Sequence, residues 1–272
     1  TFSQTLIEKL TGTAFTTNYG YDMLREVCDQ AGGRMMGSPG MEKALQILER
    51  RLEENGIKPF REYFTSPVWF RGNDEVVMKL PYEKKLRAYA LAWTSNAGLK
   101  NAVAVYVNSG YDEDLDTMDV RGKVIVVSQE TPPGKQERLR GEVIRSATAK
   151  GAAACLFINE SGNGKVLTGV GNFRGDALKI PAFTLTNEEG LKLKRLLQDG
   201  IKVTFDIVST SRVETMQSPN LIARIEGKRK EKIVIGGHFD SWDLGDGAVD
   251  NGQGSAAIYE VALLLQKLGI KP

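Results

Sequence analysis

The sequence predicts an α/β fold, and three features carry this prediction. Residues 121–208 alternate between short apolar runs and amphipathic stretches, the pattern of strands and helices that follow each other along a chain. Apolar residues three and four positions apart begin at Met41, which indicates an amphipathic helix. Residues 233–235 form a β-branched run that ends in two glycines, which is typical of a buried strand.

The first 59 residues are predicted to be helical. Ser38 and Pro39 are a favourable N-cap and first-turn pair, and the apolar face that follows extends to Leu52. Asn55 and Gly56 predict the end of this helix. Its apolar face requires another element to pack against.

The middle of the chain predicts short strands with two further helices. The helices are expected at residues 135–150 and 187–198, and the loop at residues 161–175 is rich in glycine and polar residues. The candidate strands are residues 60–64, 75–80, 86–91, 102–107, 121–127, 152–158, 180–185 and 202–208. Farther along, residues 220–225 are a further candidate strand and residues 252–268 a further helix.

The composition favours neither a nucleic-acid-binding nor a membrane-spanning protein. Lys and Arg number 36 against 34 Asp and Glu, a net charge of +2, so no strong field points to a polyanion. No apolar stretch approaches the roughly 18 residues that a membrane span needs. The basic residues 228–230 are flanked by glutamates, as in a solvated turn.

The only histidine of the chain, His238, stands in a glycine-rich segment with two carboxylates. His238 and Asp240 follow the predicted strand 233–235 directly, at the end where ligands gather in α/β sheets. Asp250 comes twelve positions after His238, just before the predicted last helix. A lone histidine is more often a core residue, but this grouping suits a divalent metal, zinc above all. Asp243 and Asp246 are interpreted as turn-forming residues.

Residues 236–243 (GGHFDSWD) and 247–252 (GAVDNG) resemble the co-catalytic di-zinc metallopeptidase family of aminopeptidases and glutamate carboxypeptidases. Residues 32–40 are similar to the amino-terminal segment of that family, and residues 69–72 to a short signature of one subgroup. Residues 121–197 look like the protease-associated domain that is inserted into the peptidase domain.

The resemblance implies a partial zinc-peptidase α/β sheet domain with an inserted protease-associated-type α+β domain. Residues 1–66 would form the amino-terminal helical part and residues 67–212 the inserted domain. Residues 213–272 would form the first part of a truncated catalytic domain.

The resemblance also assigns roles to the three candidate site residues. His238 would bind one zinc and Asp250 would bridge two, while Asp240 would be the catalytic carboxylate that orients and polarises His238. The peptide bond between Asp250 and Asn251 would be cis. Many relatives have aspartate where this chain has Asn251, a position that is not a ligand.

A complete site of this family needs more than these residues. It has a second histidine, a glutamate base beside a glutamate ligand, and another acidic ligand, all of which follow the helix that ends this chain. Residues 186–190 (TNEEG) look like the base motif but stand in the wrong order, and Asn187 is expected to cap a helix there. We therefore expect the chain to be an amino-terminal fragment that binds zinc weakly and is inactive alone.

The function expected of the whole protein is that of a zinc-dependent exopeptidase. It would act as an aminopeptidase, carboxypeptidase or dipeptidase on small peptides through a metal-activated water. The alternatives are a peptide- or protein-binding module without catalysis and a non-catalytic relative. Relatives are commonly secreted, periplasmic or lysosomal, so we expect a secreted or periplasmic protein, lysosomal or extracellular in a eukaryote. A homodimer is compatible with the resemblance.

Overall fold

The computed structural model describes residues 4–173 and 176–271, which divide into two compact units. The first unit comprises the residues up to Val68 and those from Glu214 onward, and the second comprises Trp69–Val213. The elements are α1 (Gln4–Thr16), α2 (Tyr19–Ala31), α3 (Pro39–Glu54), β1 (Pro59–Phe70), β2 (Asp74–Leu80), β3 (Lys84–Lys85), β4 (Ala88–Ala90), β5 (Ala97–Tyr106), α4 (Asp112–Asp116), β6 (Val124–Ser128), α5 (Arg140–Ala149), β7 (Ala154–Ile158), β8 (Ala182–Leu185), α6 (Asn187–Gln198), β9 (Thr204–Ser209), β10 (Arg212–Ala223) and α7 (Gln253–Lys267).

The first unit packs α2, α3 and α7 around one apolar core. The predicted cap of α3 is confirmed, because the Ser38 hydroxyl accepts a hydrogen bond from the Met41 N–H at 3.2 Å. Ile47 of α3 is buried in the same cluster as Val27 of α2 and Leu263 of α7. The amphipathic face predicted from the sequence is therefore the face that builds this core. Strands β1 and β10 form a separate two-stranded sheet.

The second unit is built on an eight-stranded mixed sheet in the order β3-β2-β9-β5-β6-β7-β8-β4. The strands β5, β6, β7 and β8 are parallel neighbours, and the other pairings are antiparallel. Every residue of β6, β7 and β8 is buried, as expected for parallel strands covered on both faces. Helix α5 contributes Val143 and Ile144 to the cluster that contains Phe157 of β7.

The predicted helix 135–150 begins five residues later than expected. Gly134 adopts a left-handed φ of 78°, and α5 starts only at Arg140. The Glu142 carboxylate accepts a hydrogen bond from the N–H of Leu139 at 3.1 Å and so caps the helix at that point. The Arg138 side chain donates to the carbonyl of Gly110 and the hydroxyl of Ser146, contacts made outside helical geometry.

The strand predicted at residues 233–235 is wrong, because this run is irregular and exposed. Ile233 and Val234 are each 88 % exposed, and the described part of the chain contains no strand paired with them. β-Branched side chains favour a strand only where a neighbour supplies hydrogen bonds and packing. His238 therefore follows an irregular segment rather than a strand in this structure.

Among residues 4–173 and 176–271, no helix has the length and apolar character needed to cross a membrane.

Candidate metal centre

Residues 238–250, here named the His–Asp loop, lie in the first unit and lead into α7. Gly247 has a left-handed φ of 59°, and its carbonyl accepts a hydrogen bond from the Gly252 N–H at 3.0 Å. At the other end of the loop, the Ser255 hydroxyl donates to the His238 carbonyl at 3.2 Å. Both ends of the loop are thus tied to the amino-terminal end of α7.

The three residues singled out from the sequence meet in this loop. His238 Nε2 lies 3.0 Å from Asp250 Oδ1, and His238 Nδ1 lies 3.2 Å from Asp240 Oδ1. The side chains are 53 %, 51 % and 76 % exposed for His238, Asp240 and Asp250, so the group is open to solvent and to ligands. The peptide bond between Asp250 and Asn251 is cis, as the family resemblance implies.

Both ring nitrogens of His238 face a carboxylate oxygen, and a neutral imidazole has only one N–H to donate. If Nδ1 carries that proton and donates it to Asp240, the lone pair of Nε2 points at Asp250. Two lone pairs 3.0 Å apart repel each other unless a proton or a metal ion lies between them. In that tautomer, a cation between Nε2 and Asp250 relieves the repulsion.

The donor set fits a divalent metal there. Zinc binds histidine nitrogen and carboxylate oxygen at about 2.0–2.2 Å, which sets two tetrahedral ligands roughly 3.3–3.6 Å apart. The separation of 3.0 Å between His238 Nε2 and Asp250 Oδ1 is that of a direct hydrogen bond, so the two groups would move apart by a few tenths of an ångström to hold a metal. Asp240 lies at the opposite ring nitrogen, with its Oδ1 3.2 Å from His238 Nδ1. Within the described residues, no cluster of three or more His, Cys, Asp or Glu side chains is arranged as a metal site.

Of the other two acidic residues of the loop, Asp243 lies in a turn and Asp246 does not, so the interpretation of Asp246 as turn-forming is wrong. Asp243 and Leu244 form a turn, in keeping with the interpretation of Asp243. The carbonyl of Asp246 accepts a hydrogen bond from the Cys28 thiol at 3.4 Å, and the residue is exposed. Asp246 thus contributes its main chain to the packing of the loop.

The two glutamates of residues 186–190 hold loops of the second unit in place. Glu189 accepts a hydrogen bond from the Arg87 N–H at 2.7 Å, and Glu188 accepts one from the Gly164 N–H at 3.1 Å. The pKa of Glu188 is lowered by hydrogen bonds from main-chain N–H groups, first that of Glu188 itself and then that of Gly164. A general base that works at neutral pH needs the opposite shift. The cap of α6 is Thr186, one residue before the expected Asn187.

One residue that contacts the loop was missed by sequence reasoning. Arg34 follows α2 and is fully buried, and its Nε donates to the carbonyl of Phe239 at 2.9 Å. Arginine is rarely buried, so periodicity assigns it to the surface. The only signal in the sequence was its position within residues 32–40, which resemble a family segment.

Comparison with known proteins identifies both parts of the chain. Residues 220–272 match the model of peptidase family M28, and residues 88–193 match the PA domain. Human carboxypeptidase Q is 30 % identical over 267 residues, which cover 94 % of this chain and 56 % of the relative. The chain therefore spans about half the length of the curated relatives that it matches.

Solved structures share the fold. A peptidase M28 precursor from Shewanella amazonensis SB2B has a TM-score of 0.84 at 24 % identity and covers 99 % of this chain and 64 % of its own. The zinc aminopeptidase BSAP from Bacillus subtilis has a TM-score of 0.63 at 19 % identity, over 91 % of this chain and 57 % of its own. The likeness in fold spans both the residues that match the PA domain and those that match peptidase family M28.

Proposed function

We propose that this chain is part of a zinc-dependent exopeptidase that hydrolyses small peptides through a metal-activated water. The observation that carries the proposal is the pair of contacts made by His238, with Asp250 at Nε2 and Asp240 at Nδ1. The similarity to carboxypeptidase Q and the match to peptidase family M28 support the same reaction class.

Each residue has a separate role in this proposal. His238 would bind the metal through Nε2, while Asp240 accepts a hydrogen bond from Nδ1–H, keeps the ring in one tautomer and raises its basicity. Asp250 presents its carboxylate to the same side of the ring and would hold the metal there, in the bridging role that the family resemblance implies. A bound zinc pair supplies Lewis acidity, which polarises the scissile carbonyl and makes water a better nucleophile at neutral pH.

The 272 residues supply too few groups for the whole reaction. A zinc site needs about four ligands, and the chain offers one histidine with the carboxylate of Asp250 on its metal side. Glu260, the one glutamate that follows the loop, accepts a hydrogen bond from the Thr17 hydroxyl at 2.7 Å and another from the Gly20 N–H. We propose that these residues by themselves bind zinc weakly and do not hydrolyse peptides.

The test compares the 272-residue chain with the full product of its gene. We expect chelator-sensitive hydrolysis of unblocked dipeptides by the full product, restored by added Zn²⁺, and none by the 272 residues. Robust hydrolysis by the 272 residues would refute the proposed lack of activity. A full gene product that neither holds zinc nor cleaves peptides would favour a binding module built on the PA domain.

Two further expectations from the family stay proposals. The protein is secreted or periplasmic, or lysosomal or extracellular in a eukaryote, which fractionation of the source cells tests. It forms a homodimer, which sedimentation equilibrium of the full gene product tests.

A further inference from the structure

Arg34 is fully buried and binds main-chain carbonyls rather than an acidic partner at its closest contacts. Its Nε donates to Phe239 and its Nη2 to Gly247, each at 2.9 Å. Its Nη1 donates to the carbonyls of Asp246 and, at 3.2 Å, of Gly32. Burial lowers the pKa of Arg34, although a guanidinium stays protonated in proteins.

The main chain of Arg34 binds the same loop. Its N–H donates to the Ser241 hydroxyl at 2.9 Å, and its carbonyl accepts from the Ser241 N–H at 3.0 Å. The guanidinium carbon also lies 5.5 Å from the centre of the Phe239 ring. Residue 34 therefore contacts the His–Asp loop at positions 239, 241, 246 and 247.

These contacts join the two segments that carry the metal-facing groups. Phe239 and Ser241 flank Asp240 and follow His238, whereas Asp246 and Gly247 lead into the turn that carries Asp250. One rigid, planar guanidinium spans both segments, so it fixes their separation. The distance of 3.0 Å between His238 Nε2 and Asp250 Oδ1 depends on that separation.

A purely structural role does not require an arginine at this place. Apolar side chains of similar volume often replace a buried charge without loss of stability, because burying the charge is costly. Unlike an apolar residue, arginine has N–H groups that point in fixed directions. Here they donate to the carbonyls of Phe239 and Gly247, which lie on two segments of one loop. Lysine has a single nitrogen and cannot reproduce this fork.

We infer that Arg34 is the positioning residue of the His–Asp loop, holding His238 and Asp250 side by side, near the spacing that a divalent metal needs. The inference deepens the proposed function and rests on it where metal affinity is concerned. It also makes a claim that needs no metal, namely that the loop loses order when the guanidinium is removed.

The experiment uses the full gene product and the variants Arg34→Lys and Arg34→Met. In metal-free protein, hydrogen exchange of the amides of residues 238–250 should become at least about tenfold faster in both variants. Zn²⁺ alone, titrated into each protein below its unfolding temperature, should bind about 10- to 100-fold more weakly.

Arg51→Met is the matched control, because Arg51 also lies in the first unit and binds Glu26 of α2 at 2.7 Å without touching the loop residues named above. This variant should leave loop exchange and Zn²⁺ affinity within about twofold of the unsubstituted protein. If Arg34→Met does not fold, Arg34→Lys carries the test, because lysine keeps the positive charge and lacks the forked N–H groups.

Loop exchange that stays within about twofold in folded Arg34→Lys would overturn the inference. So would unchanged Zn²⁺ affinity in that variant. If the unsubstituted protein binds no zinc, the proposed function fails, and loop exchange in the metal-free variants alone decides the role of Arg34.

Discussion

Replacing Gly247 with alanine should destabilise the first unit through the His–Asp loop. Gly247 has a φ of 59°, in the left-handed region that residues with a Cβ rarely adopt. A Cβ at this position would lie 2.2 Å from Ser241 Cβ and 2.7 Å from Arg34 Nη2. Neither neighbour can withdraw easily, because the two residues are hydrogen-bonded to each other and both are buried.

The expected loss follows from two contributions. The left-handed conformation costs a residue with a Cβ about 1–2 kcal/mol, and overlap in a packed site costs about 1–3 kcal/mol more. The free energy of unfolding should therefore fall by about 2–5 kcal/mol, a large part of the 5–15 kcal/mol typical of a domain.

Urea unfolding followed by circular dichroism measures this loss, and Gly245→Ala is the matched control in the same loop. A Cβ at Gly245 would meet no atom within 4 Å, and its φ lies outside the left-handed region. The control should change the free energy of unfolding by less than about 0.5 kcal/mol. Equal effects of the two substitutions would refute the packing of Gly247 against Ser241 and Arg34.

Two more predictions test charge at separate places. Asp240→Asn should weaken Zn²⁺ binding of the full gene product about tenfold in calorimetric titration. This is the low end of the effect of such partners, because the contact with His238 is 3.2 Å long and half exposed. Asp246→Asn removes the same charge and should leave Zn²⁺ binding unchanged. A hydrogen bond from Arg61 lowers the pKa of Glu42 below its ordinary value of 4.5. The pair therefore stabilises the fold above about pH 4.5, and this contribution is lost as the pH falls through the lowered pKa of Glu42. Arg61→Met should therefore reduce the free energy of unfolding at about pH 7 by more than at about pH 3, and a difference that does not change with pH would contradict this account.

Helices were predictable where the pattern of the chain itself determines them. In α3, Ser38, Pro39 and the apolar spacing act locally, so both ends of the helix were found from the sequence. In α5 the start was misplaced, because the capping contact of Glu142 and the long-range contacts of Arg138 decide it. The Glu142 contact is local but is not part of the apolar periodicity, and the contact of Arg138 with Gly110 depends on the tertiary fold.

The run at residues 233–235 shows the limit of β propensity. Its composition is that of a strand, yet Ile233 and Val234 are almost fully exposed in the described chain. A strand is stabilised by hydrogen bonds to neighbours, so its formation depends on residues far away in the sequence. Strand β10, which begins eight residues before the predicted residue 220, forms because β1 pairs with it.

The candidate site was partly predictable for the same physical reason. His238, Asp240 and Asp250 are brought together by one short loop, so their spacing in sequence was informative. Arg34 contacts this loop from more than 200 residues away, and its residue type argues for exposure. Only the structure shows that its guanidinium points into the loop.

The zinc content of the purified full gene product tests the central claim most directly. The account predicts about two zinc ions per chain, and a clear loss of zinc in His238→Ala and Asp250→Ala but not in Asp246→Asn. Unchanged zinc content in both His238→Ala and Asp250→Ala would contradict the account, because the metal would then be held by other residues.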